Sequence, residues 1–244
     1  MDLDAIKKRL DALQASIKKN AYLWKPESGA NTIRMVPYQH VKEKPFIEMY
    51  FYYNLGMKTY LSNHTFGGSD PIMEFSEKLN QTGDKYDWIL SKKFEPKLRT
   101  FVPIIVRGKE KGGVKFWGFG KELYQELLSI IADSDYGDIT DLSHGRDVVV
   151  VYQTPKEANN TYGRISMRVK PNQSRATNDK EVAKMIMNNQ PNMDDVYKKY
   201  TYEELNKVLN SWLNPEDEDE PSDSITESFC LLIDLLKGAK LSRG

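Results

Sequence analysis

The sequence predicts an α+β, mainly β protein: a small β-barrel core with accessory helices, a basic helical arm before it and a disordered acidic tail after it. Three observations predict this. Seven short strand-like runs lie between residues 32 and 170, separated by glycine, proline and asparagine. Apolar residues recur with helical spacing at the N-terminus and in two pieces between the strands. Composition changes abruptly after Trp212-Leu-Asn-Pro215.

The first element is a helix over residues 3–19, because Leu3, Ile6, Leu10, Leu13 and Ile17 recur at spacings of three and four. Lys7, Lys8 and Arg9 lie beside that stripe. A single narrow apolar stripe on so short a helix needs a partner surface, so residues 1–20 are read as an arm. The strand candidates are 32–36, 46–53, 58–61, 101–107, 114–119, 147–152 and 164–169. Helices are predicted over 71–80 and 121–132, the second presenting Leu123, Leu127, Leu128 and Ile131 on one side. Short strands with a helix between them suit a barrel of the OB-fold type. A helical region over 179–213 completes a core spanning 21–213, and Thr201-Tyr-Glu-Glu204 fits a capping box. Within 214–244, residues 216–224 contain nothing apolar and cannot offset their ordering entropy by burial. Ile225, Phe229, Leu232, Ile233 and Leu236 then form a short amphipathic patch suited to a partner.

The 244 residues carry 35 bases and 35 acids, but the balance is uneven. Between Glu216 and Leu236 stand eight acids, Asp217 and Asp219 among them, and no base, which leaves residues 1–213 with a net charge of +5. From Trp88 to Lys121 there are nine bases and two acids. A basic middle followed by an acidic tail points to a polyanion partner and a built-in polyanion mimic. No run of 18 apolar residues and no N-terminal signal block occurs, so a membrane-spanning or secreted class is not expected. Cys230 is the single cysteine, which excludes disulfide frameworks and multi-cysteine metal clusters.

No enzyme chemistry is legible. Three histidines (His40, His64, His144) and the lone cysteine form no nucleophile–base pattern. Gly118-Phe-Gly120-Lys121 lacks the spacing and the hydroxyl of a phosphate loop, and the Asp133–Asp138 run lacks the later ligands of a calcium loop. The informative pattern is basic and aromatic residues interleaved. Lys93, Lys97, Arg99 and Phe101 follow Trp88 on one stretch. Lys115, Trp117, Phe119 and Lys121 alternate, which on a strand places them on one face. Tyr162, Arg164, Arg168 and Lys170 form a third group. Binding a single nucleic-acid strand without sequence preference needs cations along the phosphates and flat rings for the bases, each stacked base contributing roughly 1–3 kcal/mol. The same composition leaves open an RNA-binding module of this barrel class, or an interaction and assembly protein with its aromatics buried.

At these residues the sequence resembles the single-stranded DNA-binding (helix-destabilising) proteins of T-even-type bacteriophages. The resemblance covers most of the chain. Ile33-Arg-Met-Val-Pro37, residues 61–75, Phe116-Trp-Gly-Phe-Gly-Lys121, Gly145-Arg-Asp147, Asn172-Gln-Ser174 and Tyr202-Glu-Glu-Leu205 carry it by order and spacing. It implies a non-catalytic protein that coats single-stranded DNA cooperatively in phage replication, recombination and repair, in the cytoplasm of an infected bacterium. By position, the ring stacking falls to Phe101, Trp117, Phe119 and Tyr162, and the phosphate contacts to Lys97, Arg99, Lys121, Arg164 and Lys170. The resemblance also implies self-association through Lys7, Lys8 and Arg9, although the Ser/Thr that follows in the family pattern is missing. It assigns the recruitment of phage replication and recombination proteins to the acidic tail. Family members hold a zinc ion with one histidine and three cysteines in the region matching 53–73. Here Asp70-Pro-Ile-Met73 stands where a Cys-x-x-Cys pair would be, so no metal or other cofactor is expected. Packing by Tyr60, Phe66, Ile72 and Phe75 is expected to take the metal's place.

Overall fold

The computed structural model describes residues 6–7, 9–10, 21–41, 46–56 and 58–214. Among the described residues there are eight strands: β1 (Leu23–Trp24), β2 (Gly29–Met35), β3 (Ile47–Leu55), β4 (Lys58–Leu61), β5 (Lys97–Val106), β6 (Lys115–Phe119), β7 (Arg146–Gln153) and β8 (Arg164–Gln173). The α-helices whose limits lie among the described residues are α1 (Pro71–Gln81), α2 (Lys85–Phe94), α3 (Lys121–Ala132), α4 (Pro155–Ala158), α5 (Lys180–Asn188) and α6 (Tyr202–Leu213). The chain is therefore α+β and mainly β. The sequence pattern treats 21–213 as one core, whereas contacts divide the described residues into two compact units. One comprises those up to 50 with 98–199, the other 51–97 with those from 200 onward.

In the first unit the strands run in the order β1-β6-β5-β2-β7-β8, and β5 also takes β3 as a partner. Strands β1 and β6 pair in parallel; β6–β5, β5–β2, β2–β7 and β7–β8 are antiparallel. The sheet is thus mixed and open, with no ladder joining β8 to β1 among the described residues. The Val148–Val151 run of β7 is buried through Val148, Val149 and Val150, as expected of a strand flanked by partners on both edges and covered on both faces. On one face lies the main core of Ile33, Met35, Val102, Ile104, Trp117, Phe119, Val148, Val150 and Met167, capped by α3 through Leu123, Tyr124, Leu127, Ile130 and Ile131. Leu128 turns outward instead, 42% exposed, so the inward stripe of α3 runs through Tyr124 rather than Leu128. On the other face Val36, Ile105 and Val114 are covered by Ala176 and by Val182 and Ile186 of α5.

A charged knot pins that second layer. Arg34 is fully buried, lying opposite Asp147 across the β2–β7 ladder at 3.8 Å. Arg34 Nη2 donates to the carbonyls of Asp141 (2.6 Å) and Ser174 (2.8 Å). Arg107 donates through Nε and Nη2 to the same Asp147 oxygen (3.0 and 2.7 Å) and to the carbonyls of Arg175 and Ala176. One carboxylate and four carbonyls thus take up most of the donors of two guanidinium groups, Arg34 Nε being left without a partner, and hold residues 174–176 against the sheet. Burial draws the Arg34 guanidinium below its ordinary value. Gly145 is required here, because a Cβ would come within 2.6 Å of two carbonyls and of Arg34 Nη2.

The second unit is a β3–β4 hairpin with α1, α2 and α6. Its core is Tyr52, Leu55, Ile72, Phe94, Leu205 and Leu209, with Tyr60, Phe75 and Trp212 packed on it. Thr201 and Glu204 form the capping box of α6, as the sequence predicts. Residues 62–73 are organised by one buried carboxylate. Asp70 caps α1 by accepting from the backbone N–H of Ile72 (3.0 Å) and Met73 (3.3 Å). It also accepts from Ser62 Oγ (2.6 Å) and the Asn63 N–H (2.9 Å). The Tyr52 hydroxyl lies 3.3 Å from Ser62 Oγ, and burial raises that phenol far above its ordinary value. The residues present do not fit a zinc site: residues 53–73 contain no cysteine and a single histidine, and Asp70 is committed to four donors. Of the residues expected to pack in a metal's place, Tyr60, Ile72 and Phe75 belong to this core, and Phe66 is 44% exposed. Replacing Asp70 with alanine removes a helix cap and leaves Ser62 and the Asn63 N–H without their acceptor. The expected loss is about 2–4 kcal/mol in urea unfolding, with Asp70→Asn recovering part of it.

Candidate functional site

Of the twelve residues the sequence assigns to nucleic-acid contact, Lys93 and Lys97 belong to the second unit and ten to the first. The three buried rings among them are a correction. Trp117 and Phe119 are each 1% exposed and Phe101 is 2% exposed. Trp117 packs on Phe119 (centroids 4.7 Å) and edge-on to Trp24 (6.1 Å). Phe101 lies over Gly118 on the neighbouring strand, so close that a Cβ there would sit 2.5 Å from the ring, and it meets Tyr197 at 5.8 Å. None of these three presents a face to a base. The physical reason is that β6 is covered on both sides: Trp117 and Phe119 enter the main core, while Phe116 points the other way onto Tyr38. Alternation on such a strand separates two interiors, not inside from outside.

The cations between those rings behave differently. Arg99 is half-buried and spends a guanidinium N–H on the Gly118 carbonyl (2.7 Å), and Lys115 is also half-buried. Lys121 is exposed at the start of α3. In the second unit Lys97 is exposed but pairs with Glu95 at 3.6 Å, while Lys93 is exposed on α2.

The third group lies on β8 and in the loop just before it. On β8, Ile165, Met167 and Val169 face the core, which turns Arg164, Ser166, Arg168 and Lys170 to the opposite side. Arg164 and Arg168 are exposed and Lys170 half-exposed, all on one face of the last strand of the sheet. At the head of this row stands Tyr162, 89% exposed, the one exposed aromatic of the first unit among the described residues. The loop that carries it is built rather than loose. Thr154 and Glu157 form a capping box around α4, and Asn159 and Gly163 take left-handed conformations. The Asn160 carboxamide oxygen accepts from the N–H of Tyr162 (3.1 Å) and Gly163 (2.6 Å). Gly163 is obligatory, since a Cβ would meet the Gln153 carbonyl at 2.5 Å. Hydrogen bonds from the Thr154 N–H and hydroxyl hold the Glu157 carboxyl below its usual range.

Two further aromatic residues are exposed on α2: Trp88 (53%), which opens the first interleaved stretch, and Tyr86 (61%), which that pattern leaves out. The apolar spacing predicts no helix there. Asp84, which caps it by accepting from Tyr86 N–H and Asp87 N–H, is the available signal. For the arm, Ile6, Lys7, Arg9 and Leu10 are helical and exposed, while Lys8 lies outside the described residues. The assigned tail residues Asp217, Asp219, Phe229, Leu232, Ile233 and Leu236 also lie outside them. Among the described residues no three His, Cys, Asp or Glu side chains gather to hold a metal ion, and no helix is long and apolar enough to cross a membrane.

Fold and site define a mainly β α+β protein with a cationic last strand headed by an exposed ring. No family model and no curated protein matches the chain.

Proposed function

We propose that this chain is a non-catalytic single-stranded DNA-binding protein, with Tyr162 stacking on a base and Arg164, Arg168 and Lys170 following the phosphates. The observation that carries this reading is the 89% exposure of Tyr162 on a loop fixed by its own hydrogen bonds, beside cations in a row. An isolated ring held outward in this way gains nothing from folding and offers a flat face that any base can use. Lys121 and, in the second unit, Lys93 and Lys97 add exposed positive charge. The antiparallel run β6-β5-β2-β7-β8, with α3 between β6 and β7, supports an OB-type core. The same reading assigns Lys7, Lys8 and Arg9 to contacts between neighbouring copies on DNA, and the acidic tail to phage replication and recombination proteins. Its setting is the cytoplasm of an infected bacterium.

Salt-dependent titration of labelled poly(dT), beside duplex and matched RNA strands, tests this reading. Tyr162→Ala is expected to weaken binding roughly 5- to 150-fold with no change in melting temperature, the range that corresponds to loss of one stacked base. Arg164→Ala with Arg168→Ala should flatten the log–log salt slope by about 0.7 for each phosphate left without its cation. Unchanged affinity in both variants, or equal affinity for duplex, would refute the reading. Preference for RNA would transfer it to the ribose polymer.

A further inference from the structure

We propose that Asn160 is a positioning residue: it holds the backbone of Tyr162 ready to meet a base before any ligand arrives, on the reading that this ring is the one that stacks. Residues 154–163 join β7 to β8, and the last pair before the connection is Gln153 with Arg164. A connection of that length without internal ties samples many conformers, and a ligand that needs one of them must order the segment as it binds. Each residue ordered in this way lowers the affinity by about 5- to 30-fold.

Asn160 removes that cost from two directions. Its own N–H donates to the Pro155 carbonyl (3.1 Å), which seats it on the turn of α4. Its carboxamide oxygen accepts from the N–H of Tyr162 (3.1 Å) and of Gly163 (2.6 Å), so one side chain fixes the peptide planes on both sides of the Tyr162 Cα. The turn beneath is anchored as well. The Glu157 carboxylate accepts from the Thr154 N–H (2.7 Å) and hydroxyl (2.9 Å), and from the hydroxyl of Ser28, just ahead of β2, at 3.2 Å. On the far side Gly163 lies so near the Tyr152 ring that a Cβ would come within 2.9 Å of it. Tyr162 is thus clamped between a tied turn and a side chain of β7. Nothing in the core calls for this order. Tyr162 is 89% exposed, and Asn160 and Thr161 are exposed beside it, so the two hydrogen bonds from Tyr162 and Gly163 bring no apolar side chain inside. An ordered loop that turns its one large ring outward is arranged for what that ring meets.

Amide relaxation of the free, full chain tests the order, and titration with poly(dT) tests its use. In Asn160→Ala the order parameter of Tyr162 should fall from about 0.85 to below about 0.6, and Asn160→Asp, which keeps the acceptor, should restore it. Affinity for poly(dT) should fall about 5- to 30-fold in Asn160→Ala at unchanged melting temperature, with no further loss when Asn160→Ala is added to Tyr162→Ala. An unchanged order parameter overturns the assignment whatever the binding shows. So does a full additional loss in the double variant, which would make Asn160 a contact to the ligand itself. Order lost with affinity kept, while Tyr162→Ala binds weakly, overturns the positioning role and leaves the stacking ring in place. Full affinity in Tyr162→Ala overturns both.

Discussion

Trp117→Ala is expected to destabilise the first unit by about 3–5 kcal/mol, the cost of emptying an aromatic site in a packed core. A stacking residue on a binding surface would behave in the opposite way, losing affinity at constant stability. Trp117 is 1% exposed, in ring contact with Phe119 and Trp24, and its cross-strand partner Val102 is itself fully buried. Its indole N–H has no hydrogen-bond partner, a burial that costs on the order of 1–3 kcal/mol. Trp117→Phe, which removes that donor and keeps a ring, should therefore lose far less than Trp117→Ala. Urea unfolding of both variants, with poly(dT) affinity measured well below the midpoint, checks the pair. A Trp117→Ala protein with unchanged midpoint and weakened binding would restore Trp117 as a contact residue.

Asp147→Ala is expected to cost about 3–5 kcal/mol, although Asp147 is a single, partly exposed side chain. The reason lies with its partners. Removing one half of a buried ion pair leaves an uncompensated charge, which is far more costly than never having had the pair. Arg34 has no solvent exposure to fall back on, and Arg107 loses the acceptor of two of its donors. Residues 174–176 should loosen with them, because both guanidinium groups hold carbonyls in that segment. Hydrogen exchange at the Ser174 and Ala176 amides, which donate to the Gly145 and Leu142 carbonyls, should speed up in the variant before the sheet amides do. An unchanged exchange pattern there would show that the knot is dispensable.

Elements whose two sides face different media are legible in the sequence. Strand β4 (Lys58–Leu61) and helix α3 (Lys121–Ala132) match their predicted limits, and α1 exceeds its by one residue. β8 is readable to the level of individual residues, because only one of its faces is buried and its alternation is that of an ordinary amphipathic strand. The failures share a cause. In β5 and β6 both faces are covered, so polar–apolar alternation reports nothing about exposure, and it misplaces Phe101, Trp117 and Phe119 on a surface. In α2 the apolar residues surround the helix, since Trp88 and Ile89 are exposed while Phe94 is buried, and no single period emerges. Strand β1, two residues long, carries too little pattern to be recognised. The roles of Asp70 and Asp147 depend on partners that the fold assembles and that spacing does not reveal.

The position of β8 has a consequence for the protein's behaviour in concentrated solution. It is a ten-residue strand at the end of the sheet path, with no further strand beside it among the described residues, and a long edge of that kind invites another copy's strand to add to it. Arg164, Arg168 and Lys170 oppose that: two such edges brought together would set like charges side by side. The repulsion lasts only while the cations lack counter-charge. A polyanion added in excess screens the row and also covers it, whereas a trace of polyanion neutralises the guard without occupying every edge. Clouding of the solution should therefore peak at substoichiometric polyanion and clear again at saturation.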